Sequence, residues 1–304
     1  MQKPSCLRQG DTVRIIAPAS PFSRQKFMAG VTILRELGLK PVWRDDIFSS
    51  CDYLAGDDAR RAGEMVQAFR DPDSAAVFPA RGGFGCARTC IAIGNEVELP
   101  PKLLVGFSDI TALHAFFGRK GVVTIHGPNV TTLPSMEPDT LEQYRRTIFG
   151  LDRGRDQAWD GLRPVTPGRA AGSVLAANLT VLVSLAGTSL MPDLRGRILV
   201  LEDLNEKPYR LDRMLFQLSL QPGFGQVAAV VFGDFMLEGD DIPLFERTVA
   251  GFAGRWGVPV VTGFPLGHGR ANDCIGEGVD AELDAADGRL VARAPVSPRG
   301  PVNS

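Results

Sequence analysis

Leu103-Leu104-Val105-Gly106-Phe107-Ser108-Asp109-Ile110-Thr111-Ala112-Leu113-His114-Ala115-Phe116-Phe117 reads as a buried strand, a sharp turn carrying a serine, and an apolar helix. Such a turn lifts the hydroxyl above a sheet edge and sets the next backbone N–H groups around any oxyanion formed by attack on a carbonyl. Ser108 is therefore the leading nucleophile candidate, and the strand and helix around it call for a sheet covered by helices.

The chain on either side supplies that sheet. Residues 13–17 form a short apolar run, and residues 25–37 place Phe27, Met28, Val31, Ile33, Leu34 and Leu37 at helical spacing, with Gly38 as the stop. A strand over 40–43, a helix over about 58–69, and strands over 75–78, 103–107 and 122–125 continue a βαβα rhythm. This alternation predicts an α/β fold whose N-terminal domain, residues 1–150, is a mostly parallel, doubly wound sheet with ligands at the carboxyl ends of its strands. Residues 151–168 are polar and turn-rich and are expected to be a linker. Beyond them, strands near 172–175, 197–201 and 228–232 alternate with helices over 179–186, 209–220 and 244–256. That predicts a smaller C-terminal α/β domain, rich in strands, over 169–294, followed by a Pro-rich tail, 295–304, expected to be disordered.

Composition narrows the partners. Across 304 residues, 33 basic side chains against 35 acidic ones leave a formal net charge of -2, so there is no bulk electrostatic footprint for nucleic acid or an anionic membrane. No apolar run approaches the roughly 18 residues needed to cross a bilayer, and the first residues lack the apolar region of a signal peptide. The five cysteines, Cys6, Cys51, Cys86, Cys90 and Cys274, are scattered and lack paired zinc-site spacing. The expectation is a cytoplasmic protein with reduced thiols, no metal and no organic cofactor.

A serine nucleophile needs a base and an acid to orient that base. Three histidines can be the base. His114 sits on an apolar helix and reads mainly as a core residue; His126 ends a strand beside a turn and either anchors or lines the site. His268 lies in a loop between Gly267 and Gly269, the kind of segment on which scaffolds present catalytic groups. For the acid, Ile198-Leu199-Val200-Leu201 ends in Glu202 and Asp203, and a carboxylate at the end of a buried strand is costly unless it is paired or faces a cleft. Glu202 aimed at His268 meets that condition, while Glu206 stands in a more solvated stretch. Arg81-Gly82-Gly83-Phe84-Gly85 can bring backbone N–H groups close to a ligand, as part of an oxyanion hole with the Asp109 N–H or as a phosphate cradle. It lacks the nucleotide-binding fingerprints.

Taken together, Ile16-Ala17-Pro18-Ala19-Ser20, the Arg81 to Gly85 loop, Gly106 to Asp109, His126-Gly127-Pro128, Leu201 to Arg213 and Gly267-His268 resemble the LD-carboxypeptidases of murein recycling and the related microcin C immunity peptidases over nearly the whole chain. The resemblance implies a serine carboxypeptidase with a Ser108, Glu202, His268 triad shared between two domains, acting on a small peptide substrate, the murein tetrapeptide, and forming homodimers. On that reading Asp109, Gly82 and Gly83 supply the oxyanion hole, and Arg81, Phe84 and Asn178 contact substrate, Arg81 gripping its free carboxylate. Two departures stand out: Phe84 replaces a frequent tyrosine, and Ala176-Ala177-Asn178 replaces a Gly-Gly-Asn stretch. Two alternatives remain open, cleavage of a peptidyl-nucleotide antibiotic by the same triad and a non-catalytic module binding a small ligand at the glycine loop.

Overall fold

The computed structural model describes residues 1–94, 97–152 and 154–299. The first half runs β1 (Thr12–Ile16), α1 (Arg24–Glu36), β2 (Lys40–Val42), α2 (Asp58–Arg70), β3 (Ala76–Pro79), α3 (Cys86–Ile93), β4 (Leu103–Gly106), α4 (Thr111–Arg119), β5 (Thr124–His126) and α5 (Pro138–Phe149). The second runs β6 (Gln157–Trp159), β7 (Arg163–Thr166), β8 (Arg169–Asn178), α6 (Leu179–Ser184), β9 (Arg197–Glu202), α7 (Pro208–Ser219), β10 (Ala229–Phe232), α8 (Asp241–Trp256), β11 (Val260–Thr262), β12 (Ile275–Glu277), β13 (Asp280–Asp284) and β14 (Arg289–Ala292).

Two α/β sheets result. The first has the order β12-β5-β4-β3-β1-β2, and its five N-terminal strands are parallel. The central strand β3 is buried on both faces, so its side chains feed two cores in alternation: Ala76 and Phe78 pack with Phe27 and Tyr144, whereas Val77 packs on the opposite face with Met65 and Phe69. Strand order reverses at β1, which lies between β2 and β3. A crevice therefore opens where the loops leaving β1 and β3 diverge, and such a switch point is where open α/β sheets bind ligands. The glycine loop follows β3, and Ser108 follows the next strand, β4.

The second sheet has the order β6-β14-β13-β8-β9-β10-β11-β7, with β8 to β11 parallel at its centre. Its central strands are again sandwiched: Leu199 and Leu201 face one core, Ile198 and Val200 the other. Glu202 and Asn178 are paired neighbours at the carboxyl ends of β9 and β8.

Three features differ from the sequence expectation. The segment 151–168 contributes β6 and β7, the two edge strands of the second sheet. Pro164 and Gly161 made it look like a linker, yet proline is tolerated on an edge strand. The half-chains also interlock, because β12 crosses over and pairs antiparallel with β5, Ile275 opposite His126. Finally, residues 295–299 are packed rather than disordered: Val296 is buried, and Ser297 exchanges backbone bonds with Pro4 and Cys6 at 2.8 and 2.9 Å. Residues 300–304 of that tail lie outside the described residues.

Candidate active site

The turn at Ser108, the nucleophile candidate, is built by its neighbours. Phe107 is extended, with φ −149° and ψ −175°, and Ser108 then takes φ +67° before a 3₁₀ turn leads into α4. A non-glycine residue held at positive φ costs about 1–3 kcal/mol and persists only where surrounding bonds impose it. Here Asn129 imposes it, its Oδ1 accepting the Phe107 N–H and its Nδ2 donating to the Phe107 carbonyl, both at 3.3 Å. His114 braces the same strand end, with Nε2 2.8 Å from the Gly106 carbonyl and Nδ1 2.8 Å from Thr124 Oγ1. Burial pushes the His114 pKa down to about 4, so it is a neutral structural group, the first of its two sequence readings.

The glycine loop leans on this turn. A Cβ on Gly82 would lie 2.9 Å from Ser108 Cβ and 3.1 Å from Ser108 Oγ, so only glycine lets the loop come this close. Ser20, in the loop after β1, pins it from the other side: its N–H donates to the Gly82 carbonyl at 3.3 Å and its Oγ accepts the Phe84 N–H at 3.0 Å. Asp109 joins loop to turn, because its buried carboxylate accepts the Cys86 N–H at 2.8 Å, at the N-terminus of α3. Burial raises the Asp109 pKa, and the bonds from Cys86 oppose that rise. Among the described residues, the N–H groups of Gly82, Gly83 and Asp109 have no backbone acceptor.

The other two candidates come from the end of β9 and from the loop between β11 and β12. His268 Nδ1 lies 2.7 Å from Glu202 Oε2, and the Glu202 side chain has no exposure while His268 keeps 16%. Burial alone lowers the pKa of this imidazole. The Glu202 bond and the charges of Glu202, Asp203 and Asp234 outweigh burial and hold it above the ordinary histidine value. Asp203 is committed elsewhere, accepting from Asn178 Nδ2, Thr180 N and Oγ1, and the Leu204 N–H. The imidazole packs against the Phe107 ring, centroids 4.7 Å apart, beside Ser108. Among the described residues no hydrogen bond closes Ser108 Oγ onto His268; apo sites are often loose at this step and tighten when substrate binds.

The remaining candidates separate. His126 is fully buried, its ring 6.0 Å from Phe107 and 6.2 Å from His114, so it packs behind the turn and does not line the cleft. Asn178, expected to face substrate, is 5% exposed and spends its side chain on the α6 N-terminus and on Asp203. Glu206 pairs with Arg210 at 3.1 Å. Arg81 is exposed, donates to the Pro21 carbonyl at 2.7 Å and has no carboxylate partner among the described residues. Phe84 is 50% exposed, its ring 5.7 Å from that of Tyr53, itself 61% exposed. Sequence reasoning missed Asn129, Ser20 and Thr111, whose Oγ1 accepts the Asn178 N–H at 3.0 Å and so bonds the turn's helix to the second sheet.

Comparison with known proteins gives a family and a fold. The family model described as the LD-carboxypeptidase N-terminal domain matches residues 13–127, and that described as the LD-carboxypeptidase C-terminal domain matches residues 171–283. The chain is 34% identical over 306 residues to a Bacillus subtilis protein named "Probable murein peptide carboxypeptidase", covering 97% of this chain and 95% of the relative. It is 32% identical over 292 residues to the murein tetrapeptide carboxypeptidase of Pseudomonas aeruginosa, covering 90% and 92%. Among solved structures, the muramoyltetrapeptide carboxypeptidase of Oxalobacter formigenes superposes with a TM-score of 0.79 at 26% identity, covering 95% of this chain and all of that one. An MccF-like protein from Bacillus anthracis shares the fold, with a TM-score of 0.86 at 22% identity over 98% of this chain and all of its own.

Proposed function

Because this chain belongs to the LD-carboxypeptidase family, we propose that it hydrolyses the L,D amide bond holding the terminal D-alanine of murein tetrapeptides, with Ser108 as nucleophile and the Glu202–His268 pair as acid and base. The observation that carries this reading is the 2.7 Å His268–Glu202 bond seated on the ring of Phe107, next to the strained serine.

The chemistry follows from the groups in place. Substrate draws the Ser108 hydroxyl and His268 together, and His268 Nε2 takes the hydroxyl proton as Oγ attacks the carbonyl carbon. Glu202, whose pKa burial raises and the bond to His268 holds down, fixes through Nδ1–H the tautomer that leaves Nε2 free and stabilises the imidazolium that forms. The N–H groups of Asp109, Gly82 and Gly83 receive the oxyanion, each donor being worth roughly 2.7–4 kcal/mol to the transition state. His268 then protonates the amine of the departing D-alanine, and a water molecule, deprotonated by the same imidazole, hydrolyses the acyl-enzyme. Arg81, exposed and without an acidic partner, supplies a guanidinium for the substrate's free carboxylate, and the Phe84–Tyr53 rings offer apolar contact on the same rim.

The supporting assay follows D-alanine release from purified murein tetrapeptide by mass spectrometry, with an acyl-sulfamoyl adenylate as the competing substrate. D-alanine release from the tetrapeptide with the adenylate left intact is the expected pattern, and hydrolysis of the adenylate with the tetrapeptide left intact would transfer the protein to the antibiotic-cleaving reading. We propose a cytoplasmic location, where the family's murein recycling takes place. No helix among the described residues is long and apolar enough to cross a membrane. The homodimer implied by the family is testable by sedimentation, and the exposed Tyr209, Phe216 and Leu220 along one side of α7 offer apolar surface for it.

A further inference from the structure

We propose that Asn272 is the positioning residue for His268, holding the loop that aims the imidazole at Glu202 and at Ser108. His268 has no regular element of its own. It stands in the segment between β11 and β12, where Pro265 and Asp273 close the outer bond, Asp273 N–H to Pro265 carbonyl at 2.7 Å. That bond fixes the mouth of the loop but not the direction of its tip.

Inside the mouth, Asn272 closes a second bond. Its side chain is fully buried, and its Oδ1 accepts the N–H of Gly267, the residue before His268, at 3.2 Å. The opposite side of Gly267 is blocked. Its φ is +151°, and a Cβ there would meet the Asp234 carbonyl at 2.8 Å, while Asp234 itself donates its N–H to the Leu266 carbonyl at 2.8 Å. Gly267 is thus gripped between the end of β10 on one side and the Asn272 amide on the other, which leaves the following residue one direction in which to project.

The choice of residue supports this role. A buried amide is costly unless its polar atoms are bonded, and a leucine, with the same branching and number of heavy atoms, would fill such a position without that cost. Among the described residues the Asn272 Nδ2 has no protein partner, so the bond to Gly267 is what rewards a polar side chain here. Asn272 touches neither Glu202 nor Ser108 in any hydrogen bond; it acts through the backbone of the base.

The inference rests on His268 being the catalytic base, and the test separates the two. Asn272→Leu and Asn272→Asp are compared with the wild type and with His268→Ala, by steady-state kinetics on tetrapeptide and by the low-field proton resonance of the His268 Nδ1–H bonded to Glu202. The leucine variant should lose ~10²-fold in kcat, the scale of a displaced catalytic group, with KM within ~3-fold, and its low-field resonance should shift or broaden. The aspartate variant, which keeps an oxygen facing Gly267, should recover most of kcat and the resonance. Full kcat in the leucine variant, or lost kcat with an unmoved resonance, overturns the proposal while an inactive His268→Ala leaves the base assignment standing. An active His268→Ala overturns the base assignment itself. Should circular dichroism show the leucine variant unfolded, Asn272→Ala is judged by the same two readouts.

Discussion

Gly82 and Ser108 touch so closely that a single methyl group on Gly82 would stand 3.1 Å from the serine Oγ. The glycine loop and the turn at Ser108 are therefore one unit. Gly82→Ala must push the loop or the serine away. We expect kcat to fall by ~10²–10³, the scale of losing one oxyanion donor, with the fold intact by circular dichroism. Unchanged kinetics would remove the loop from the site.

Glu202→Gln tests the electrostatics of the base. The imidazole is held above the ordinary histidine value, so in the wild type kcat/KM should rise with pH through a limb above 6.5 as His268 loses its proton. Without the carboxylate, burial, which lowers a histidine pKa, is opposed only by the charges of Asp203 and Asp234. The limb should move to lower pH while kcat drops by up to ~10⁴ through loss of the correct tautomer. A limb that stays in place would mean that another group titrates.

Asp109→Ala removes the carboxylate that accepts the Cys86 N–H at the start of α3. Stability should fall by about 0.5–2 kcal/mol, the usual cost of a lost helix cap, read from the urea midpoint. Asp109→Asn keeps an acceptor oxygen and should lose less. Equal stability of all three forms would contradict the cap.

Glu277 gives a pH signature in stability. Burial pushes its carboxyl up to about 8 from 4.5, even though it accepts the Ala176 N–H across the two sheets. A folded-state pKa above the unfolded one means the folded protein holds the proton longer. Its contribution is full below pH 4.5 and is lost as pH rises through about 8. Glu277→Gln keeps an acceptor and cannot ionise, so its melting temperature should decline less than that of the wild type over that window. Parallel curves would show that Glu277 does not titrate there.

How much of this was legible depended on whether a residue carries its meaning locally. Leu103 to Phe117 announced strand, turn and helix in one stretch, and the Glu202–His268 bond was legible because a carboxylate ending a buried strand needs a partner. Asn129, Ser20, Thr111 and Asn272 were not, since each matters through a partner supplied by another part of the chain or through burial that no local pattern reveals. Asn178 carries more than its place at a strand end suggested: its side chain also bonds the start of α6 and Asp203. β6 and β7 were hidden by Gly161 and Pro164, which mark turns in isolation and are harmless on the sheet edges these strands occupy. α5 was missed because its signals are a Pro at its first position and a terminal Gly150, with a polar exposed face between.

The central claim, covalent catalysis by Ser108, is tested most directly by rapid acid quenching of enzyme mixed with murein tetrapeptide, followed by mass analysis of the peptide carrying residue 108. The account requires a tripeptidyl adduct on Ser108 that appears with the first D-alanine released and is absent from Ser108→Ala, which releases none. D-Alanine release at the wild-type rate by Ser108→Ala would contradict it.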